Sequence, residues 1–349
     1  ALGAWLRVPH MGRGVTGDEL GMLQFRGWDW LLTDSLNALH PPLYRMSFRA
    51  LYAPMDAVMA GRWWSLGCGL LSIVVVVALT RLVTQSRLAG WSAGACVAAL
   101  PAAIMWSTFH RPYATLCLLM TLHVWSLCRW SEPDAHQRYG WMAMLTALLL
   151  PQVHYLAAPW LLLTSVGVIA LLKQSWRRVL AYLPAFIAFL PLVQGMLGSV
   201  GSGVHRRPGD TLGAMEWLFG LGLEARRVFP ESWAWLSAPA LAVAVLLWPW
   251  AGRAYRVLLI SGISLTGVVC VSASQHAMTS STMLLGVSLF IPLLLGLPGI
   301  LGARSGTVRV LAWLVMGWLF ITALRMGENR YTEELLTPKP RDRLQRFVD

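Results

Sequence analysis

Four short segments carry side chains that could do chemistry, and each lies beside or within an apolar run. The first segment, GVTGDELGML, holds adjacent carboxylates at Asp18 and Glu19. Such a pair suits a general base, a metal ligand, or one of each. Alternatively the two acids only begin a helix, because negative charge is favourable in a first helical turn. The sequence leaves both interpretations open.

The second segment, LNALHPPLYRMSFRALY, places two prolines between His40 and Tyr44. Each proline fixes its own φ angle and lacks a backbone donor, which makes the turn stiff. A stiff turn can hold side chains at a reactive centre. It can equally be the structural start of a helix.

The third and fourth segments place polar aromatic and cationic groups at the ends of apolar runs. STFHRPYATLCLL contains Arg111 and Tyr113, and LPQVHYLAAPW contains His154 and Tyr155. An arginine there can hold a ligand phosphate through paired hydrogen bonds or reach out to lipid phosphate. Ionisable residues inside apolar stretches often face a cavity.

The composition predicts the setting for these groups. Hydrophobic residues make up 56% of the 349 positions and charged residues only 13%, against roughly a quarter in soluble domains. The 28 basic and 16 acidic residues give a net charge of +12, which could suggest nucleic acid in a soluble protein. Here the basic residues separate apolar runs, so orientation in a bilayer and attraction to anionic lipids explain the charge. We expect an integral, multi-pass membrane protein that contacts membrane lipids and binds no nucleic acid.

The apolar runs predict an all-α fold. A spanning helix needs about 20 mainly apolar residues, and Pro151 and Pro159 interrupt two of the runs. Ten spans are predicted, at 63–82, 88–108, 113–129, 140–156, 157–173, 178–198, 235–251, 256–274, 283–302 and 308–325. The predicted domains are a first loop over 1–62, a helical domain over 63–325 that includes a loop at 199–234, and a tail over 326–349.

The short loops predict the orientation. The loops at 81–87, 129–139, 173–178, 252–256 and 303–309 each carry at least two basic residues. The turns at 109–112 and 275–282 carry one and none. Basic short loops stay on the cytoplasmic side. The first loop, the 199–234 loop, the tail and all four polar segments are therefore expected on the outer face.

Taken in order, the acidic pair, HPPLY, HRPYA and HY resemble the GT-C glycosyltransferases that use polyprenyl-phosphate sugars. The nearest resemblance is to the family 39-like group of protein mannosyltransferases and aminoarabinose transferases, and it covers residues 10–160. It implies a GT-C bundle of about ten helices, preceded by one further helix upstream of residue 1. It also implies a plasma-membrane enzyme, in bacteria the inner membrane, with its site facing the periplasm or exterior.

The resemblance implies a role for each motif residue. Asp18 matches the catalytic aspartate of the first loop, and Glu19 is its usual neighbour. His40 and Tyr44 match the HPPL turn that lines the site, while Arg111 and Tyr113 match an R-x-Y element facing the cavity. His154 and Tyr155 complete the set of substrate-binding candidates.

The implied reaction moves a sugar from the polyprenyl-phosphate donor to a hydroxyl on a lipid, protein or glycan acceptor, with inversion at the anomeric carbon. A divalent metal is a candidate cofactor, with no ligands assigned. Two alternatives stay open. Broken helices and in-membrane histidines also mark transporters and flippases. The second alternative is a catalytically inactive GT-C relative, because this chain has SQHAMTSSTMLLG where relatives carry a late Arg-Tyr pair.

Overall fold

The computed structural model describes residues 1–12, 14, 19, 42–49, 57–155, 157–172, 183–188, 190, 193, 248 and 251–275. Asp18, His40, the 199–234 loop, the 326–349 tail and the spans expected at 283–302 and 308–325 lie outside these residues. The spans expected at 178–198 and 235–251 are described only at isolated positions.

All the secondary structure of the described residues is helical. The elements are α1 (Leu2–Trp5), a 3-10 helix (Val8–His10), α2 (Pro42–Arg49), α3 (Ala57–Thr84), α4 (Arg87–Ala99), α5 (Pro101–Ser107), α6 (Tyr113–Trp130), α7 (Arg138–Val153), α8 (Ala157–Leu172) and α9 (Arg253–Gln275). The all-α prediction is confirmed for this part of the chain.

Helix α3 has the length and composition of a membrane span. Within the described residues, Val58–Thr84 is the one helix both long and apolar enough to cross a bilayer, and Ala157–Ala170 in α8 is a shorter apolar helix. Two exposed side chains, Trp63 and Arg81, lie near opposite ends of α3. At 1.5 Å per residue their separation along the axis is about 27 Å, close to the roughly 30 Å hydrocarbon core of a bilayer.

The outer surface of the helices is apolar, as a lipid-facing surface must be. Val74 is 64% exposed and Trp91 67%. Soluble monomers rarely present large continuous apolar patches to water. Further exposed apolar side chains on these helices are Leu71, Leu88, Trp141, Leu145, Leu162, Val166, Ile187, Leu190 and Ile263. Their distribution over several helices supports burial of the bundle in a bilayer.

The bundle is built around α3 and α6. Helix α3 packs against α4 and α6, α6 also packs against α7, and α9 packs against α6 and α8. Apolar side chains fill the centre, including Leu116, Met120, Leu150 and Leu258. The buried Trp160 indole N–H donates a 3.0 Å hydrogen bond to the Ser261 carbonyl, which joins α8 to α9.

The span predicted over 88–108 is two helices rather than one. Pro101 has no N–H to continue α4, and its ring forces the preceding residue out of the helical region. Leu100 accordingly has φ −67° and ψ 120°. The buried Arg7 guanidinium donates to the carbonyls of Val97 and Ala98 at 3.3 and 2.8 Å, so the carbonyls released by the break are satisfied inside the protein.

Glycines bring the segment after the break close to α3. A Cβ at Gly61 would collide with the His110 ring, and one at Gly69 would collide with the Ser107 side chain. These two glycines therefore set how closely residues 107–110 approach the N-terminal half of α3.

Two of the loops predicted to share the inner face meet in the structure. Arg253 at the start of α9 donates a 3.3 Å hydrogen bond to the carbonyl of Ser131, just after α6. The loops at 129–139 and 252–256 therefore lie at the same end of the bundle, as the charge pattern predicts.

Candidate active site

The acidic pair is represented in the structure by Glu19, which forms a buried ion pair with Arg62 of α3. Arg62 Nε donates to Glu19 Oε1 at 2.9 Å, and Arg62 Nη2 donates to Oε2 at 2.8 Å. The side chains are 2% and 0% exposed. This two-bond geometry is the strongest form of arginine–carboxylate contact. Each charge offsets the unfavourable burial of the other.

The same ion pair connects the first loop to the turn before α6. Glu19 Oε1 also accepts a 3.0 Å hydrogen bond from the backbone N–H of His110. Arg62 donates further hydrogen bonds to the carbonyls of Met11 at 2.8 Å and Gly14 at 3.0 Å. The first loop, α3 and the turn before α6 therefore meet at this ion pair.

Tyr44 of α2 lies next to this ion pair. Its ring is buried, with its centroid 5.9 Å from that of His110. Its hydroxyl lies 3.4 Å from Ser65 Oγ, and Ser65 Oγ donates to the Arg111 carbonyl at 3.3 Å. Burial is the main cause that raises the pKa of the Tyr44 phenol well above its usual value, so the hydroxyl remains protonated.

An aromatic row continues from the Arg111 turn towards α7. The Tyr113 ring packs edge-on against Trp106 at 4.5 Å between centroids, and the His154 ring lies 5.9 Å from Tyr113. The Arg111 guanidinium is close enough to His154 for the two groups to interact electrostatically. The same guanidinium also interacts electrostatically with the Tyr44 phenol.

The structure brings together five of the residues singled out from the sequence: Glu19, Tyr44, Arg111, Tyr113 and His154. Tyr155 packs with Ala158 and Val193 in a separate small apolar cluster. Asp18 and His40 lie outside the described residues, so their roles stay predictions.

Glu19 does not fit a metal-ligand role in this arrangement. Both of its oxygens accept hydrogen bonds from Arg62, and the adjacent positive charge disfavours a bound cation. Within the part of the chain that the structure describes, no three His, Cys, Asp or Glu side chains group as metal ligands would. Asp18 is the remaining carboxylate of the pair, and it lies outside that part.

Sequence reasoning missed Arg62 and Ser65 as members of this cluster. Arg62 gave one signal, a charged residue near the start of the first predicted span, where unpaired charge is unfavourable. Such a residue requires a partner, but the sequence does not say which carboxylate supplies it. Ser65 gave no signal, since serine is common in membrane helices.

Comparison with known proteins bears on the fold. No family model matches the chain, and no curated protein matches it significantly. Two solved structures of ArnT from Cupriavidus metallidurans do match. The one bound to undecaprenyl phosphate has a TM-score of 0.58 at 14% identity, covering 90% of this chain and 61% of that one. The apo structure has a TM-score of 0.55 at 17% identity, covering 89% and 59%.

The chain thus spans about three fifths of the length of the ArnT chains that it matches. At such low identity the likeness concerns the fold alone. It supports the GT-C fold that the motifs predict, without distinguishing a subgroup.

Proposed function

We propose that the chain is an integral membrane glycosyltransferase that moves a sugar from a polyprenyl-phosphate carrier to a hydroxyl acceptor on the outer face of the membrane. The observation that carries the proposal is the cluster of Glu19, Arg111, Tyr113 and His154 at one end of an ArnT-like helical bundle. The ArnT structure bound to undecaprenyl phosphate supports a carrier of that class.

The proposed reaction is a single displacement. An acceptor oxygen attacks the anomeric carbon and forms the new glycosidic bond. The bond between that carbon and the phosphate oxygen breaks, and its electron pair stays on the phosphate. Attack from the face opposite the phosphate inverts the anomeric configuration. The acceptor proton passes to the Asp18 carboxylate as general base.

Arg111 is the residue proposed to stabilise the departing phosphate. A fixed cation aimed at developing negative charge lowers the barrier most effectively in a site from which water is excluded. Tyr44 and the flanking aromatic rings supply such surroundings, since they are buried or partly buried beside the arginine. Glu19 differs from Asp18 in this scheme, because its carboxylate already holds a guanidinium.

The test is transfer of labelled sugar by the full chain in lipid vesicles. We expect wild type to release label from a polyprenyl-phosphate sugar to at least one hydroxyl acceptor in a panel. We expect Asp18→Asn to reduce the rate by about 100-fold or more, because removal of a general base typically costs that much. Donor binding should change little, since the amide keeps the shape of the carboxylate.

Three results would count against this scheme in different ways. Absence of transfer by wild type to every acceptor contradicts the enzyme proposal. An Asp18→Asn variant as active as wild type contradicts the assignment of the base. Movement of intact, uncleaved donor between leaflets favours the transporter or flippase alternative.

A further inference from the structure

Arg62 directs several of its hydrogen-bond donors at one short stretch of the first loop. A guanidinium has five N–H donors, and at least four of these are directed at residues 11–19. Two reach the Glu19 carboxylate, one reaches the Met11 carbonyl and one reaches the Gly14 carbonyl. Neutralising a buried charge requires only the carboxylate. The two carbonyl contacts instead hold Met11 and Gly14, which precede Glu19 in the sequence, against α3.

Glu19 transmits this restraint to the opposite side of the site. Its Oε1 atom is shared between Arg62 Nε at 2.9 Å and the His110 N–H at 3.0 Å. His110 directly precedes Arg111, and Gly61, directly before Arg62, is the glycine on which the His110 ring rests. The first loop and the Arg111 turn therefore both contact the same turn of α3.

We propose that Arg62 is a positioning residue that holds the acidic pair at a fixed distance from the Arg111 turn, with Glu19 as its bridging carboxylate. This rests on the proposed function, in which the base and the phosphate-stabilising cation must face opposite sides of one anomeric carbon. Neither Arg62 nor Glu19 touches the reacting atoms in this scheme. Their contribution is geometric, and small displacements of reacting groups have large effects on rate.

A role in stability alone predicts a different outcome. Replacing both members of a buried ion pair with apolar residues of similar size often restores stability, whereas removing one member leaves an uncompensated charge. A double replacement would thus repair folding without restoring the contacts to Met11, Gly14 and the His110 N–H. The double variant therefore distinguishes a positioning role of Arg62 from a role in stability alone.

The experiment compares the full-length wild type with Arg62→Met, Arg62→Met/Glu19→Met and Arg62→Lys in lipid vesicles. Thermal unfolding, transfer kinetics and amide hydrogen exchange are measured on each. Arg87→Met is the matched control, since Arg87 is an exposed arginine at the far end of the same helical hairpin.

We expect Arg62→Met to unfold several degrees lower than wild type and the double variant to recover most of that loss. The double variant should still transfer sugar about 100-fold more slowly, with donor KM close to wild type. Peptides covering residues 8–20 and 108–112 should exchange faster. Arg62→Lys should give an intermediate kcat, because an ammonium cannot reach both carboxylate oxygens and both carbonyls. Arg87→Met should match wild type.

The proposal is overturned if the double variant transfers sugar at the wild-type rate, or if its exchange pattern over both peptides is unchanged. It is also overturned if Arg62→Lys folds and keeps full kcat. A wild type that transfers no sugar contradicts the proposed function instead. In that case the exchange pattern alone supports or overturns the positioning role of Arg62.

Discussion

At the scale of single residues, the site depends on groups held in one protonation state by burial. Tyr44 illustrates this, because its phenol is buried and its pKa lies well above the usual value. The unfolded chain ionises the phenol near a pKa of about 10, while the folded chain keeps the proton. Its raised pKa therefore leaves stability unaffected at neutral pH and reduces it progressively as the pH rises above that value.

We predict that Tyr44→Phe loses less stability than wild type between neutral pH and about pH 11. At neutral pH the substitution should cost about 1 kcal/mol, since it removes the hydroxyl that lies 3.4 Å from Ser65 Oγ. Thermal melts of both proteins at the two pH values measure this difference. The matched control is Tyr139→Phe, which removes a half-buried phenol. An equal alkaline loss in wild type and Tyr44→Phe would contradict the prediction.

Residue types indicated where chemistry could occur, but not how each group is used. Asp18 and Glu19 are equivalent in the sequence as adjacent carboxylates. Only the folded chain shows that Glu19 faces Arg62, a contact that bridges 43 positions. Partners at such separations are chosen by packing of the whole bundle, and no local pattern encodes them.

At the scale of helices, the apolar runs within the described residues predicted where helices lie better than where they are interrupted. The runs at 113–129 and 157–173 correspond to Tyr113–Trp130 and Ala157–Leu172. Pro101 breaks its helix, whereas Pro151 lies inside α7 and Pro159 lies within the first turn of α8. Proline is tolerated in a first turn because the N–H there has no helical acceptor. The effect of a proline thus depends on where the helix begins, which hydropathy leaves uncertain by several residues.

Two glycines of α3 should respond in opposite ways to the same substitution. Gly61→Ala places a methyl group against the His110 ring and should lower the free energy of unfolding by about 1–3 kcal/mol through overpacking. Gly67→Ala meets open space and should raise stability by about 0.5–1 kcal/mol through helix propensity. Thermal or denaturant unfolding of the two variants provides the measurement. A Gly61→Ala protein as stable as Gly67→Ala would show that the His110 segment is not held against the helix.

At the scale of the whole molecule, the distribution of basic loops predicts which end faces the cytoplasm. Gly12 and Asp134 are both exposed. Gly12 follows Met11, which contacts Arg62 near the start of α3. Asp134 follows the C-terminal end of α6, whose first turn contacts that same end of α3. We predict that a membrane-impermeant thiol reagent added to intact cells labels Gly12→Cys, and labels Asp134→Cys only after permeabilisation. Unsubstituted chain provides the background, because its described cysteines are buried or partly buried. The reverse labelling pattern would invert the proposed orientation.

The spacing of Trp63 and Arg81 on α3 also has a consequence for the choice of lipid. About 27 Å separates the two interfacial anchors along the axis, so thick bilayers require the helix to tilt or the lipid to compress. Arg62 also lies on α3. A tilt of this helix would therefore change the orientation of Arg62, the residue proposed to position the first loop. We therefore expect sugar transfer to vary with acyl-chain length, with a maximum where hydrocarbon thickness matches that spacing. Vesicles made from a graded series of monounsaturated lipids would reveal the maximum, and a flat response would show that hydrophobic mismatch is absorbed elsewhere.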